Sequence, residues 1–390
     1  MIQNTFLLAL ALLCIESAVI YISGRQRLKK YFAFIPPVFW IYLLPMIAAN
    51  LGILPGRHPL YLFISANLLP AALILLLLSC DIKNILRLGK PALIMMLSGS
   101  LGIMIGMPLV FSFMRHWVGG RMWSGFGALS GSWIGGSANM IAVKEAINTP
   151  DAVFMPMVVV DTIVPYAWMG ILIAGAAFQK RYDAWNRSDI RVLEELNKRA
   201  SNIPEQKKHK LLLHTTLLLL LLAFSGIIIS RFTAARMPVF KDVLSNYTWA
   251  IIIASLLGIS LSFTPARRLE SRGASRVGYF LLYFVLASIG ARAAVSDINT
   301  AFLLIAAGFL VVLFHATVLI ITGRIIKAPM FLLATASQAN IGGAASAPVV
   351  AEIYQTGLAS VGLLLAILGN ILGTYCGIIT GQVCRWVAGG

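Results

Sequence analysis

Apolar stretches long enough to cross a bilayer, which takes about 20 residues, recur along this chain from one end to the other. Twelve can be marked, at 2–23, 31–49, 60–79, 91–114, 122–143, 152–178, 211–230, 247–264, 277–295, 299–322, 330–351 and 357–384. Lipid offers no partner to a backbone N–H or C=O, so each such stretch has to satisfy its own groups as a helix. The expected fold class is therefore an all-α polytopic membrane protein. Charge agrees, because 12% charged residues against 59% hydrophobic ones falls well short of the roughly 25% charged residues of a soluble domain. The first stretch is long enough to span and lacks an A-x-A-like exit, so it reads as a span rather than a cleaved signal.

The formal net charge of +17 does not point to nucleic acid. Lys and Arg sit in short clusters between apolar runs, as in the cytoplasmic loops of membrane proteins. The four cysteines, Cys14, Cys80, Cys376 and Cys384, lie in or beside apolar segments without CxxC spacing, which argues against a disulfide framework or a zinc site.

Ten stretches read as ordinary spans. The other two, 122–143 and 330–351, are rich in Gly, Ser, Ala and Asn, and they resemble each other. Ser130-Gly-Ser-Trp-Ile-Gly-Gly-Ser-Ala-Asn139 lies over Ser337-Gln-Ala-Asn-Ile-Gly-Gly-Ala-Ala-Ser346 without a gap. The same register pairs Val143 with Val350, Glu145 with Glu352, Thr149 with Thr356 and Ala152 with Ala359. An internal repeat follows, with a first membrane repeat over 1–178, a charged linker over 179–210 and a second repeat over 211–390. The linker carries nine Lys or Arg and five Asp or Glu, with a helix expected around 190–199.

Charge then orients the repeats. If all twelve stretches cross, the basic cluster 25–30 and the basic linker fall on opposite sides, against the positive-inside rule. If the two Gly-rich segments are broken or re-entrant and make no net crossing, ten spans remain. The clusters at 25–30, 83–90, 179–210, 267–276 and 324–327 are then all cytoplasmic, with both termini outside. Each repeat holds five spans, an odd number, so the second is inverted relative to the first. The competing reading makes the Gly-rich stretches ordinary spans that pack tightly through small residues.

Inverted repeats, each with a broken Gly-rich segment, are the architecture of secondary transporters. Broken helices expose backbone groups at membrane depth that only protein, water or a bound solute can satisfy, and half-helix N-termini favour anions. The solute site is therefore expected where Ser130, Ser132, Gly135, Gly136, Ser137 and Asn139 meet Ser337, Gln338, Asn340, Gly342 and Gly343. Ionisable groups in apolar runs are few and are functional candidates by default. Asp161, between Pro156 and Pro165, is the candidate to bind Na⁺ or carry a proton, with Asn370 as its nearest counterpart in the second half. Glu145 and Glu352 end the two Gly-rich segments and could line an entrance or bind an ion. Glu16 is expected to snorkel or to bond a neighbouring helix, His214 and His315 to pack, and Arg292 to anchor at the interface.

No enzyme is indicated. Gly89-Lys90 lacks the upstream Gly of a phosphate loop, no HExxH helix occurs, and Gly127-Ala128-Leu129-Ser130-Gly131 has one residue too many for GxSG.

The stretches Gly-Ser-Trp-Ile-Gly-Gly-Ser-Ala-Asn-Met (131–140), Pro-Met-Val-Val-Val-Asp (156–161) and Gln-Ala-Asn-Ile-Gly-Gly-Ala-Ala-Ser-Ala-Pro (338–348) resemble the membrane family called domain of unknown function 819. That family looks distantly similar to sodium/glutamate symporters, bile-acid symporters and cation/proton antiporters. The resemblance implies a scaffold of panel helices around a core whose two broken segments face each other, moving as an elevator. It also implies ion sites beside that crossing, near Asp161, Asn139 and Asn340. Asp161 has no acidic neighbour, unlike the paired aspartates of the antiporters, which favours symport.

The expected function is secondary transport in a bacterial cytoplasmic membrane, coupling Na⁺ or H⁺ to a small organic anion or amino-acid-like solute. A cation/proton antiporter and a non-transporting receptor or scaffold are the alternatives. Apart from a bound Na⁺, no cofactor or metal is expected. The expected partners are lipid, the solute and a second copy of the chain in a homodimer.

Overall fold

A computed structural model of the chain describes residues 2–28, 37–189, 212–240, 244–292 and 298–389, with a few positions at 31–35 and 191–196. The helix expected around 190–199 lies largely outside the described residues. What is described is all-helical: α1 (Thr5–Ser23), α2 (Pro37–Asn50), α3 (Pro59–Leu78), the short α4 (Ile82–Leu86), α5 (Lys90–Val118), α6 (Trp123–Gly135), α7 (Ser137–Ala146), α8 (Asp151–Gly175), α9 (Gln179–Asn186), α10 (Leu213–Ala234), α11 (Asn246–Ser262), α12 (Ala274–Arg292), α13 (Ile298–Ile325), α14 (Met330–Ile341), α15 (Gly343–Tyr354) and α16 (Ala359–Ala388).

Eight helical stretches among these are long and apolar enough to cross a membrane: α1, α3, α5, α8 with α9, α10, α12, α13 and α16. The chain is a multi-pass membrane protein. The spans expected at 31–49 and 247–264 are shorter than expected, since α2 has 14 residues and α11 has 17, at or below the short end of what a bilayer needs. Both Gly-rich stretches are broken, each into two helices. The stretch expected as linker from 179 begins instead as ordered helix, because α8 runs through a single tight turn at Ala176–Phe178 into α9.

Helix order recurs along the chain. Three helices, a long helix, a broken pair and a further long helix occur as α1–α3, α5, α6–α7 and α8, and again as α10–α12, α13, α14–α15 and α16. The shift that lays Ser130 on Ser337 also brings the starts of α1, α5, α6, α7 and α8 to within one residue of the starts of α10, α13, α14, α15 and α16.

The chain packs as two compact units, neither of which is a sequence half. The first takes 1–79, 144–162 and 207–299, and its hub is α3, against which α10, α11 and α12 pack. Gly226, Gly258 and Gly278, one from each of those helices, all meet the turn at Ile74–Leu77 of α3. A side chain at Gly258 would stand 2.8 Å from the Ile74 carbonyl oxygen, so three helices approach α3 to near backbone contact. Helix α1 lies on α2 and α12.

The second unit takes 80–143, 163–206 and 300–390. Helix α16 packs chiefly on α6, and also on α5, α14 and α15. Gly369, Gly373 and Gly377, spaced four apart on α16, face Ile134, Gly135 and Gly131 of α6. This is the small-residue helix crossing that membrane proteins use where burying apolar surface gives no drive for association. Gly99, Gly102 and Gly106 of α5 meet His315, Phe314 and Val318 of α13 in the same way.

Candidate functional site

Both broken segments lie, at their breaks, in the second unit. In the first, α6 ends at Gly135 and Gly136 adopts φ 79 and ψ 175, an extended positive-φ conformation essentially restricted to glycine. In the second, Gly343 adopts φ 65. These two glycines occupy the same position in the repeat register. Helix α7 therefore restarts directly after a positive-φ glycine and α15 on one, and the first N–H groups of each new helix have no acceptor within it.

Around the first break, Asn139 is buried and fully engaged. Its Nδ2 donates to the carbonyls of Gly135 (2.5 Å) and Asn370 (3.2 Å), while its Oδ1 accepts from Thr374 Oγ1. Ser130 is buried and donates to Gly127 O of its own helix at 2.7 Å. Ser132 is buried and its carbonyl accepts from Gly136 N. The half-buried positions are Gly136, Ser137 and Ala138, with Asn370 of α16 beside them. A Cβ on Gly136 would lie 3.5 Å from Asn370 Oδ1.

Around the second break, four polar residues of α14 follow one another closely. Asn340 is saturated: Oδ1 accepts from Ser100 Oγ at 2.8 Å, and Nδ2 donates to Ala336 O at 3.0 Å and to Met96 O at 3.2 Å. Ser337 Oγ accepts from Trp168 Nε1 at 2.9 Å and pairs with His315 Nε2 at 3.0 Å. His315 Nδ1 lies 2.9 Å from the Gly99 carbonyl. A carbonyl only accepts, so Nδ1 carries the hydrogen and, in the neutral ring, Nε2 accepts from Ser337. His315 thus ties α5, α13 and α14 together. Gln338 reaches across the break, donating from Nε2 to Ser346 Oγ of α15 at 2.8 Å. Its Oε1 and the Thr335 Oγ1 one turn earlier are both buried, and neither has a hydrogen-bond partner among the described residues. Buried polar groups are nearly always paired, so these two oxygens, like the buried Trp133 Nε1 of α6 near the first break, stand out among the described residues. Thr335 was not singled out by its sequence, where a threonine in an Ala-rich run carries no signal of its own. Gly342 has no room for a side chain, which would strike Gln338 Nε2 and Ser346 Oγ, whereas the space beside Gly343 is open.

The carboxylates fall elsewhere. Asp161 is half-buried on α8, in the part belonging to the first unit. Glu145, in the same unit, joins a ring of charges. Its Oε1 pairs with Lys144 Nζ (2.9 Å) and Arg292 Nη2 (3.1 Å), and Asp151 closes the ring through Lys144 Nζ (2.9 Å) and Arg292 Nε (3.5 Å). Arg292, expected as an interface anchor, is a partner in this network. Glu352, the repeat counterpart of Glu145, is exposed and accepts from Gly357 N through both oxygens, at 3.1 and 3.0 Å. The cause of the divergence is local, since the residue matching Gly357 in the first half is Pro150, which has no N–H. Glu16 is buried with both carboxyl oxygens unpartnered among the described residues, so it does not snorkel. Among those residues no three His, Cys, Asp or Glu side chains gather as a metal site.

Chemically, the second unit offers two kinds of group at the breaks. Helix-start N–H groups suit an anion, and buried carbonyl and hydroxyl oxygens suit a hard cation. A relative, the "uncharacterized membrane protein YjcL" of Bacillus subtilis (strain 168), is 24% identical over 353 residues, covering 86% of this chain and 87% of its own. The family described as "Protein of unknown function (DUF819)" matches residues 11–387. That match spans nearly the whole chain, and the chain belongs to the DUF819 membrane family.

Proposed function

We propose that this membrane protein is a secondary active transporter that couples Na⁺ or H⁺ to the movement of a small organic anion or amino-acid-like solute. The observation that carries the reading is the pair of helix breaks at Gly136 and Gly343, equivalent in the repeat, with Thr335 Oγ1 and Gln338 Oε1 unpaired beside the second. Breaks of this kind persist in a membrane where they line a solute path. Inverted five-span repeats and an elevator-like movement of a core against a scaffold fit the basic clusters between the spans, with the short α2 and α11 crossing alongside the four long spans of each half. In this reading Asp161 carries the coupling ion and the helix starts after Gly136 and Gly343 receive the anion. The setting is a cytoplasmic membrane with the charged linker inside.

Anything that binds the folded state alone raises apparent stability by RT ln(1 + [L]/Kd), about 2.7 kcal/mol at 100 times Kd. Thermal unfolding of the purified protein in Na⁺ against K⁺ or choline therefore tests the reading without a known solute. A Na⁺-specific rise of a few degrees, lost in Asp161→Asn, is expected for sodium coupling. A rise with falling pH in its place would assign the proton. If neither cation nor pH moves the midpoint, the non-transporting receptor or scaffold becomes the better account.

A further inference from the structure

The turn between α13 and α14 is held from outside by the first residues of the charged linker. Helix α14 starts directly after Pro329, which supplies no side-chain cap. Asp183 of α9 fills that role, its Oδ1 accepting from Met330 N at 2.9 Å. Asn186 is 1% exposed and donates from Nδ2 to Ala328 O at 2.8 Å and Gly323 O at 3.2 Å. Ser188 Oγ donates to Ala328 O at 3.2 Å, and Asp189 N to Lys327 O at 2.9 Å. Arg324 donates to Trp185 O at 2.6 Å and lies 4.6 Å above the Trp185 ring.

Backbone conformation points the same way. Of three non-glycine residues with positive φ among the described residues, Arg187 and Lys327 sit on the two sides of this contact, each at φ 53. Such residues persist where their surroundings over-determine them. The matching turn of the first half has Gly119 at φ 88, which needs no such support. A segment that merely joined two halves of a chain would not engage the carbonyls of Gly323, Lys327 and Ala328 and cap the helix that follows.

We propose that residues 183–189 form a clasp that positions α14, with Asp183 and Asn186 as positioning residues for the candidate site. Thr335 and Gln338 lie only about 8 and 12 Å along the helix axis from Met330, at 1.5 Å per residue. The inference rests on the proposed function only in taking α14 as part of that site.

Amide hydrogen exchange of the full chain in detergent micelles tests it, comparing wild type with Asp183→Ala, Asp183→Asn and Asn186→Ala. The loss of one cap is expected to speed exchange over 330–333 about fivefold in Asp183→Ala. Faster exchange should extend to the break at 342–343. Asp183→Asn keeps an accepting Oδ1 and should stay near wild type, a rescue that loss of bulk packing would not give. Unchanged exchange over 330–343 in both alanine variants overturns the clasp. So does a uniform rise that includes α5 and α16, because that marks general destabilisation. If Na⁺ and pH leave the wild-type midpoint unmoved, the transporter reading fails while the exchange comparison still decides this one.

Discussion

Asn340 spends its carbonyl and its amide hydrogens on Ser100, Met96 and Ala336, whereas Gln338, two residues earlier, keeps a buried carbonyl oxygen with no hydrogen-bond partner among the described residues. The two side chains carry the same functional group, and in the sequence they are indistinguishable as candidate ligands. Their surroundings separate them, because a saturated amide holds helices together and an unsaturated one has capacity left for a ligand. Asn340→Ala should lower stability by about 2–4 kcal/mol, since it strands buried partners and opens a cavity. Gln338→Leu gives up the hydrogen bond to Ser346 and removes an oxygen that has no partner among the described residues, so it should lower stability by about 1 kcal/mol or less. Melting curves for both variants check this, and an equal loss in the two would show that the Gln338 oxygen is not free. Asn139 resembles Asn340 in being fully engaged. The asparagines on which the family resemblance leans are thus brackets, while Thr335, silent in the sequence, holds an open oxygen.

The breaks are where sequence and structure meet most closely at the scale of elements. Gly-Gly in an apolar run is a weak signal alone, but its duplication at fixed spacing located both breaks, because positive-φ backbone strongly selects glycine. Less legible were α2 and α11, whose apolar runs are longer than their helices, and the start of the linker, whose charges hide an ordered α9. Composition records solubility, and neither helix length nor docking follows from it. The glycines themselves divide by what lies beside them. Gly343 faces open space, so Gly343→Ala should fold with a penalty of about 1–2 kcal/mol from its positive φ. Gly373 of α16 lies against Gly135 and Asn139, where a Cβ would stand 2.7 Å from Gly135 Cα. Gly373→Leu must drive α16 off α6 and should yield little folded protein. Size-exclusion profiles of the two variants after detergent extraction give the comparison. A monodisperse Gly373→Leu would show that the α6–α16 crossing has more slack than its backbone approach implies.

For the molecule as a whole, the halves of the sequence and the halves of the structure differ. Each compact unit takes its first two segments from before the second repeat and its last largely from that repeat, because α3 finds its partners α10, α11 and α12 more than 130 residues away. No local pattern records such pairing, so the repeat was legible and its interleaving was not. Inversion itself makes a sharp prediction. The α2–α3 loop at Gly56 and the α11–α12 loop at Arg272 are equivalent in helix order and exposed. Counting crossings from an outside N-terminus, with the short α2 and α11 each crossing and no net crossing at either broken pair, puts Gly56 outside and Arg272 inside. The latter agrees with Arg267, Arg268, Arg272 and Arg276 crowding that loop, where positive charge resists translocation. In a background free of the four native cysteines, Gly56→Cys should react with a membrane-impermeant maleimide in intact cells. Arg272→Cys should react only after the membrane is opened. Reaction of both from one side would make the repeats parallel, and the pseudo-symmetric exchange of inward-open and outward-open forms would lose its structural basis. Opposite sidedness would instead place the breaks at Gly136 and Gly343 as pseudo-two-fold-related entries to one path, the arrangement alternating access requires.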